Sequence, residues 1–367
     1  MHLPPTPAEL SAAAANLYDA IFRGGVADLR RTPASIIDEA PQRTVFRYHP
    51  VRDAPATDAR PVLLVPPLAA PPTCFDLRRG CSLVEHLLAG GRPTYLVDYG
   101  SIGFSDRDLG LEHWIDGVLP GAIRRVSEDA GGAPVQLVGW CLGGIMALLA
   151  AAADAELPID RIATVAAPFD FRRVRLLEPL RLPINATGGW LLSPIYRALG
   201  TAPAPLVRRV FQLTSIDKQL TKPLARLRHL DDREFLAQIE AVDAFTRDMQ
   251  AYPGRTFGQL YHRFFRVNDL ADGRFALDGR VLDLRDVTAP VMAIAGDSDV
   301  LAPRAAVHHV AKLLPNAPEV RLETGPGGHL GVLTGRAART TTWAWIDEFF
   351  GDGSAESAAG GGLRVVA

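Results

Sequence analysis

Short, uninterrupted apolar runs alternate with amphipathic stretches over most of the chain. Pro61-Val-Leu-Leu-Val65, Thr94-Tyr-Leu-Val-Asp98, Val135-Gln-Leu-Val138, Arg161-Ile-Ala-Thr-Val-Ala-Ala167 and Pro290-Val-Met-Ala-Ile-Ala-Gly296 have strand length and no polar alternation. Parallel strands buried on both faces read this way. Glu319-Val-Arg-Leu-Glu323 predicts another strand, and Thr44-Val-Phe-Arg-Tyr48 alternates like one. Between these runs, Ser82–Gly90, Leu111–Ala130 and the Ala/Leu-rich stretch after Gly143 read as helices. Leu10, Leu17, Ala20 and Ile21 recur at helical spacing and predict a leading amphipathic helix. Strands alternating with helices at this interval imply an α/β fold, a doubly wound, mostly parallel sheet.

The rhythm breaks between Phe169 and Asp278, a Leu/Phe-rich stretch interrupted by Pro and Gly that shows no clear parallel strand. It predicts a helical cap inserted before the strand at Val291–Gly296. The apolar string Trp190–Leu199 inside it suits either the lining of an acyl channel or a helix packed in a core. The domain reading is therefore an N-terminal helical segment (1–40), a core in two parts (41–168 and 279–350), the cap (169–278) and a disordered tail (351–367), the last rich in Gly, Ala and Ser.

A net charge of −2 over 367 residues argues against a nucleic acid or a membrane surface held by charge. No apolar run approaches the ~18 residues a transmembrane helix needs. Met-His-Leu-Pro-Pro-Thr-Pro lacks the basic and apolar regions of a secretory signal. Three cysteines make no disulfide framework, so a cytoplasmic location is expected. Cys74 and Cys81 have no zinc-ligand company and read as small apolar residues.

Candidate chemistry centres on Gly139-Trp140-Cys141-Leu142-Gly143, between a strand and a helix. This is the context of a nucleophile elbow, Gly-x-Ser-x-Gly, with cysteine in place of serine. Cys141 at a helix N-terminus meets partial positive charge that favours thiolate; a buried structural cysteine on a Gly-rich turn is the alternative. The other triad members follow in the α/β-hydrolase order, acid then histidine. Gly296-x-x-Asp299-x-x-x-Pro303 puts a carboxylate just past a strand end, with Asp297 as its competitor. His329 follows the next strand, in Thr-Gly-Pro-Gly-Gly-His329-Leu-Gly331, where so many glycines predict a mobile, exposed loop.

In these roles His329 is the general base and Asp299 fixes its tautomer. The Leu142 backbone N–H is one oxyanion donor. The second comes from Leu68 or Ala69, since Pro66 and Pro67 have no N–H. No residues have metal-ligand spacing and no Gly-rich phosphate loop follows a strand, so no metal and no cofactor are expected. A thiolate exchanges readily with a thioester, which favours acyl-CoA or acyl-carrier substrates over oxygen esters.

The chain resembles the polyhydroxyalkanoate synthases, most closely their short catalytic subunits that work with a second protein. The resemblance rests on Gly139-Trp-Cys141-Leu-Gly-Gly144, Asp299-Val-Leu-Ala-Pro303 and Gly328-His329-Leu-Gly331. Arg31-Thr-Pro-Ala-Ser-Ile-Ile-Asp38, Leu64-Val-Pro-Pro67, Tyr95-Leu-Val-Asp-Tyr-Gly100, Leu230-Asp-Asp-Arg-Glu-Phe235 and Gly279-Arg-Val-Leu-Asp-Leu284 agree as well. It covers about residues 30 to 349 and implies the α/β-hydrolase fold, a 3-hydroxyacyl-CoA substrate, a partner synthase subunit, self-association through the cap and an association with polymer granules. Departures are Val300 where the family has His, Leu68-Ala-Ala70 after the Pro-Pro pair, one residue rather than two between His329 and its glycine, and no tryptophan near Phe245. Three readings stay open: a cysteine acyltransferase that forms polymer, a thioesterase or esterase that uses water, and a non-enzymatic scaffold.

Overall fold

The computed structural model describes residues 6–52, 55, 57–175, 201–213, 216–351 and 364–366. Its strands are β1 (Ala34–Ala40), β2 (Arg43–Tyr48), β3 (Val62–Val65), β4 (Thr94–Asp98), β5 (Val135–Trp140), β6 (Ile159–Val165), β7 (Thr201–Ala202), β8 (Tyr252–Pro253), β9 (Arg274–Leu277), β10 (Arg280–Asp283), β11 (Val291–Gly296), β12 (Glu319–Gly325) and β13 (Arg364–Val366). Nine of them form one sheet in the order β1-β2-β4-β3-β5-β6-β11-β12-β13. Pairing is parallel from β4 through β13 and antiparallel at the β1–β2–β4 edge.

The central strands are the continuous apolar runs of the sequence: every residue of β3, β5 and β11 is buried. Helices on both faces cover them, including α2 (Leu83–Ala89), α3 (Leu119–Asp129) and α4 (Leu142–Ala153). Each large apolar side chain buried in this way contributes about 1.5–3 kcal/mol. From β3 the chain moves outward to β4, and from β5 it moves the other way to β6, so the winding direction switches between the neighbouring strands β3 and β5. Strand ends diverge at such a point and leave a crevice at their carboxyl side. The turn at Cys141 opens from that crevice.

Several expectations change. The long helix predicted over Leu111–Ala130 is wound in wider π-type turns over His113–Val118 before α3 begins. Pro120 has no N–H to give to an α-helical bond there, and a wider turn accommodates that. The leading helix α1 (Pro7–Phe22) forms behind a Thr6/Glu9 capping box. Its apolar positions Leu10, Leu17 and Ile21 face solvent, and the residue it buries is Asn16. The polar side is what docks: Asn16 Nδ2 donates to the Leu230 carbonyl at 2.8 Å, and Arg233 pairs with Asp19 at 2.6 Å. At the other terminus, Arg364–Val366 adds a parallel strand to β12 where the sequence predicts a disordered tail. The β-branched pair Val365-Val366 suits an edge strand.

Between β6 and β11 the described residues hold helices at Ala204–Leu213, Ile216–Arg228, Arg233–Arg247 and Gly254–Gln259, and π-type turns over Leu260–Val267. The strands there are short and antiparallel, β7 with β8 and β9 with β10. Trp190–Leu199 lies outside the described residues. The helix Arg233–Arg247 and the residues after it reach the loops at the carboxyl ends of the main strands. Gln250 N–H donates to the Ala69 carbonyl at 2.9 Å, and Gln238 Nε2 to the Thr334 carbonyl at 3.0 Å.

Candidate active site

Strand β5 and helix α4 leave no room for side chains at their junction. A Cβ on Gly143 would overlap the Val65 carbonyl oxygen and approach the Pro66 carbonyl at 2.8 Å; one on Gly139 would lie 2.5 Å from the Gly144 Cα. Non-bonded carbons do not come that close, so both positions require glycine. Between them Cys141 stands at φ 53° and ψ −122°, a positive φ that a residue with a Cβ adopts only where its surroundings impose it. Two of its own backbone bonds are part of that imposition. Its N–H donates to the Val165 carbonyl at 2.8 Å, and its carbonyl accepts from Gly144 N–H at 3.1 Å. The turn thus raises a partly exposed thiol over the first turn of α4.

The second component comes from the ends of β11 and β12. Asp299 Oδ1 accepts the N–H groups of Leu301 and Ala302 at 2.8 and 2.9 Å, which aims Oδ2 at His329 Nδ1, 2.8 Å away. The Asp299 side chain has no exposed surface. Burial alone would raise its titration. The imidazole's charge and hydrogen bond, with the two N–H groups, outweigh that and hold it below the ordinary carboxylate range. For His329, burial pushes downward, and the Asp299 carboxylate and the Cys141 side chain outweigh it, so the ring titrates well above its usual value. The Cys141 side chain is therefore close enough to the same imidazole to act on its titration. With Nδ1 committed to Asp299, Nε2 is the ring nitrogen left to face the thiol.

Thiol, imidazole and carboxylate are therefore brought together in series. Asp297 takes no part in the series: its Oδ1 accepts the Gly327 N–H at 2.9 Å and ties the histidine loop to the end of β11. His329 also departs from the exposed position its glycines predict, since its side chain is only 8% accessible. Trp140 and Asp299 enclose it from two strand ends, and the neighbouring glycines allow the close backbone packing. The Pro66–Ala70 loop is buried beside α4, closed by Ala70 N–H donating to the Pro67 carbonyl at 3.1 Å. Leu68 lies in that turn, and Leu142 is the first residue of α4, where backbone N–H groups have no carbonyl within the helix to bond.

Sequence reasoning missed Trp140 as anything but the variable letter of the elbow. Its indole Nε1–H donates to the His329 carbonyl at 3.0 Å, and its ring lies 5.3 Å from the imidazole and 5.9 Å from Phe245. Tyr252 was missed too. Burial, followed by Cys141, raises its phenol far above the usual value, which places β8 within electrostatic reach of the thiol. Nothing short of the fold links Trp140 to His329 or Tyr252 to position 141. Among the described residues no group of three or more His, Cys, Asp or Glu is arranged to hold a metal, and no helix is long and apolar enough to cross a membrane.

Residues 60–335 match the family model for the alpha/beta hydrolase fold, and the chain belongs to that family. It is similar to the poly(3-hydroxyalkanoate) polymerase subunit PhaC of Allochromatium vinosum, 27% identical over 86% of this chain and 89% of that one. The corresponding subunit of Synechocystis sp. is 26% identical over 86% of this chain and 85% of its own length. Among solved structures, a putative lipase from Acinetobacter baumannii superposes with a TM-score of 0.50 at 15% identity, covering 96% of this chain and 99% of that one. Alpha/beta hydrolase domain-containing protein 10 from mouse superposes equally, at 14% identity, over 88% and 99% of the two chains. These two likenesses concern the fold alone.

Proposed function

We propose that this member of the α/β-hydrolase family is a cysteine-dependent acyltransferase that polymerises 3-hydroxyacyl-CoA and releases CoA. The observation that carries the reading is the series Cys141–His329–Asp299 mounted on the elbow. Similarity to polymerase subunits along most of the chain supports the substrate class.

In this reading His329 Nε2 takes the Cys141 proton as sulfur attacks the thioester carbonyl. The carbonyl electrons move to oxygen, which the N–H groups of Leu142 and Leu68 receive. The C–S bond to CoA then breaks, and His329 returns the proton to the departing thiolate. In the second half, His329 takes the proton of an incoming 3-hydroxyl group. That oxygen attacks the acyl-Cys141 carbonyl, the C–S bond breaks as the ester forms, and His329 returns the proton to the cysteine sulfur. Asp299 keeps the imidazole in one tautomer and stabilises its cation throughout. Residues 169–278 act as a cover that excludes water while the acyl-thioester waits for the hydroxyl. A second synthase subunit, pairing of two copies through this cover, a cytoplasmic location and association with polymer granules complete the proposal. No metal or organic cofactor enters any step.

The deciding experiment supplies 3-hydroxybutyryl-CoA and counts CoA released against free 3-hydroxy acid and polymer, with and without a partner subunit. CoA release exceeding free acid, with polymer formed, is expected. Equal CoA and free acid with no polymer under any condition would replace transfer to a hydroxyl by transfer to water. Cys141→Ala should abolish release and remove the acyl mass from the peptide that contains position 141.

A further inference from the structure

The residue in front of the thiol plays no part in those proton and acyl transfers, yet the contacts of the site converge on it. Trp140 closes β5 with 1% of its surface exposed. An elbow requires only that the residue there fit, and a small aliphatic side chain would do so. A buried indole N–H needs an acceptor, and the one it has is the backbone carbonyl of His329, 3.0 Å away. The segment bearing His329 has glycine at 325, 327, 328 and 331, so few side chains of its own hold it. Its ends are tied by Gly327 N–H to Asp297 and by Val332 N–H to the Gly328 carbonyl, at 2.9 Å each. Asp299 holds the histidine's ring, and the Trp140 bond is the tie to its backbone. The Trp140 ring also meets Phe245 near edge-on, at 60° and 5.9 Å. Phe245 is buried on the helix Arg233–Arg247, which joins the cover to the site.

We propose that Trp140 is a positioning residue for the imidazole: its indole N–H fixes the His329 backbone, and its contact with Phe245 ties that placement to the helix Arg233–Arg247. A fixed carbonyl fixes the direction in which the histidine side chain leaves the chain. Nδ1 then stays on Asp299 and Nε2 on Cys141 without loss of orientation. The inference rests on His329 acting as base toward Cys141, so its test reads that pair directly, whether or not an acyl group is transferred.

Trp140→Phe keeps a ring and removes the donor. The rate of Cys141 alkylation by iodoacetamide, followed against pH by mass spectrometry, should move to higher pH because a loosened imidazole supports the thiolate less. Turnover of 3-hydroxybutyryl-CoA should fall on the order of tenfold in kcat, with KM held within about twofold, as expected when orientation rather than binding is lost. Phe245→Leu keeps the indole N–H and should move the alkylation profile the same way by less. This second variant decides the matter if Trp140→Phe does not fold, and an unmoved profile in whichever folded variant is measured overturns the proposal. Shifted profiles in a protein that never forms acyl-Cys141 would instead uphold the positioning role and defeat the acyl-transfer reading.

Discussion

The turn around Cys141 and the helix Arg233–Arg247 that reaches over it are held by different kinds of contact. At the turn, backbone packs on backbone: glycine Cα atoms stand where no side chain fits, and main-chain hydrogen bonds fix Cys141 from both sides. The helix buries Ala241 and Phe245 in the core, and around them it is attached through charged and amide side chains. Buried Arg78 reaches Gln238 at 3.1 Å and Glu234 at 3.4 Å, Arg336 pairs with Asp232 at 2.9 Å, and Arg339 also pairs with Glu234. Backbone packing has no intermediate positions, because a shift of a few tenths of an ångström meets hard repulsion. Ion pairs at a rim exchange readily with water and add little net stability. The thiol, imidazole and carboxylate thus sit on the part that cannot adjust, and the part above them is held at its edge by contacts that exchange with water.

The sharpest way to break that contrast is to loosen the rigid side. Asp299→Asn should lower turnover by on the order of a hundredfold or more, since losing a triad orienter costs up to ~10⁴. Asp297→Asn, which disturbs only the loop tie, should cost much less, and the reverse ranking would transfer the acid role. The titration of His329 offers a second check. Because the Asp299 carboxylate counters burial to lift the ring, its midpoint in the Asp299→Asn protein should fall, as read from its ring-proton resonance. The sign for stability follows for the acid itself. Asp299 is held below its unfolded value, so its contribution is present above the ordinary carboxylate range and fades as pH falls through its own lower titration. Acid unfolding of the same Asp299→Asn variant should accordingly lose part of its pH dependence.

Smaller effects are expected on the adjustable side. Arg78→Ala removes a buried side chain together with its bonds to Gln238 and Glu234, which keep Thr334 and Arg339 as partners, and should cost about 1–3 kcal/mol in denaturant unfolding. Arg336→Ala removes a pair whose arginine is 58% exposed. It should change stability by less than about 1 kcal/mol, while raising KM more than it lowers kcat if the helix serves as part of a cover. A large stability loss in the Arg336→Ala variant would erase the distinction between the two regions.

Much of the rigid side is legible in the sequence because it is built from local rules. Unbroken apolar runs mark buried parallel strands, and paired glycines around Cys141 mark a turn too tight for side chains. The order of thiol, carboxylate and histidine follows the chain. What escapes is decided by contacts between distant segments. The Gly-x-x-Asp-x-x-x-Pro spacing already favours Asp299 over Asp297, but it does not show that the Asp297 carboxylate is taken up by Gly327, thirty residues on, on the histidine loop. The burial of His329 cannot be read from glycines that equally describe an open loop. β1 is an edge strand, mostly half-exposed or exposed, that carries Ser35, Asp38 and Glu39 and lacks the apolar signature of its neighbours. The orientation of α1 inverts the usual inference from amphipathic spacing, because Asn16 and Asp19 find partners on Leu230 and Arg233 that no periodicity announces.

The positive φ at Cys141 sets activity and endurance against each other. A backbone well that disfavours every side chain disfavours the reactive one as well, and non-glycine residues in such wells give up about 1–3 kcal/mol of stability. Two dead enzymes separate the parts. Cys141→Ala removes the sulfur and keeps the strain; Cys141→Gly removes both, and should melt higher than the alanine protein even after its extra unfolded-state freedom is counted. Selection for longevity alone would therefore drift toward glycine at this position. A cysteine standing there marks where durability has been surrendered for chemistry.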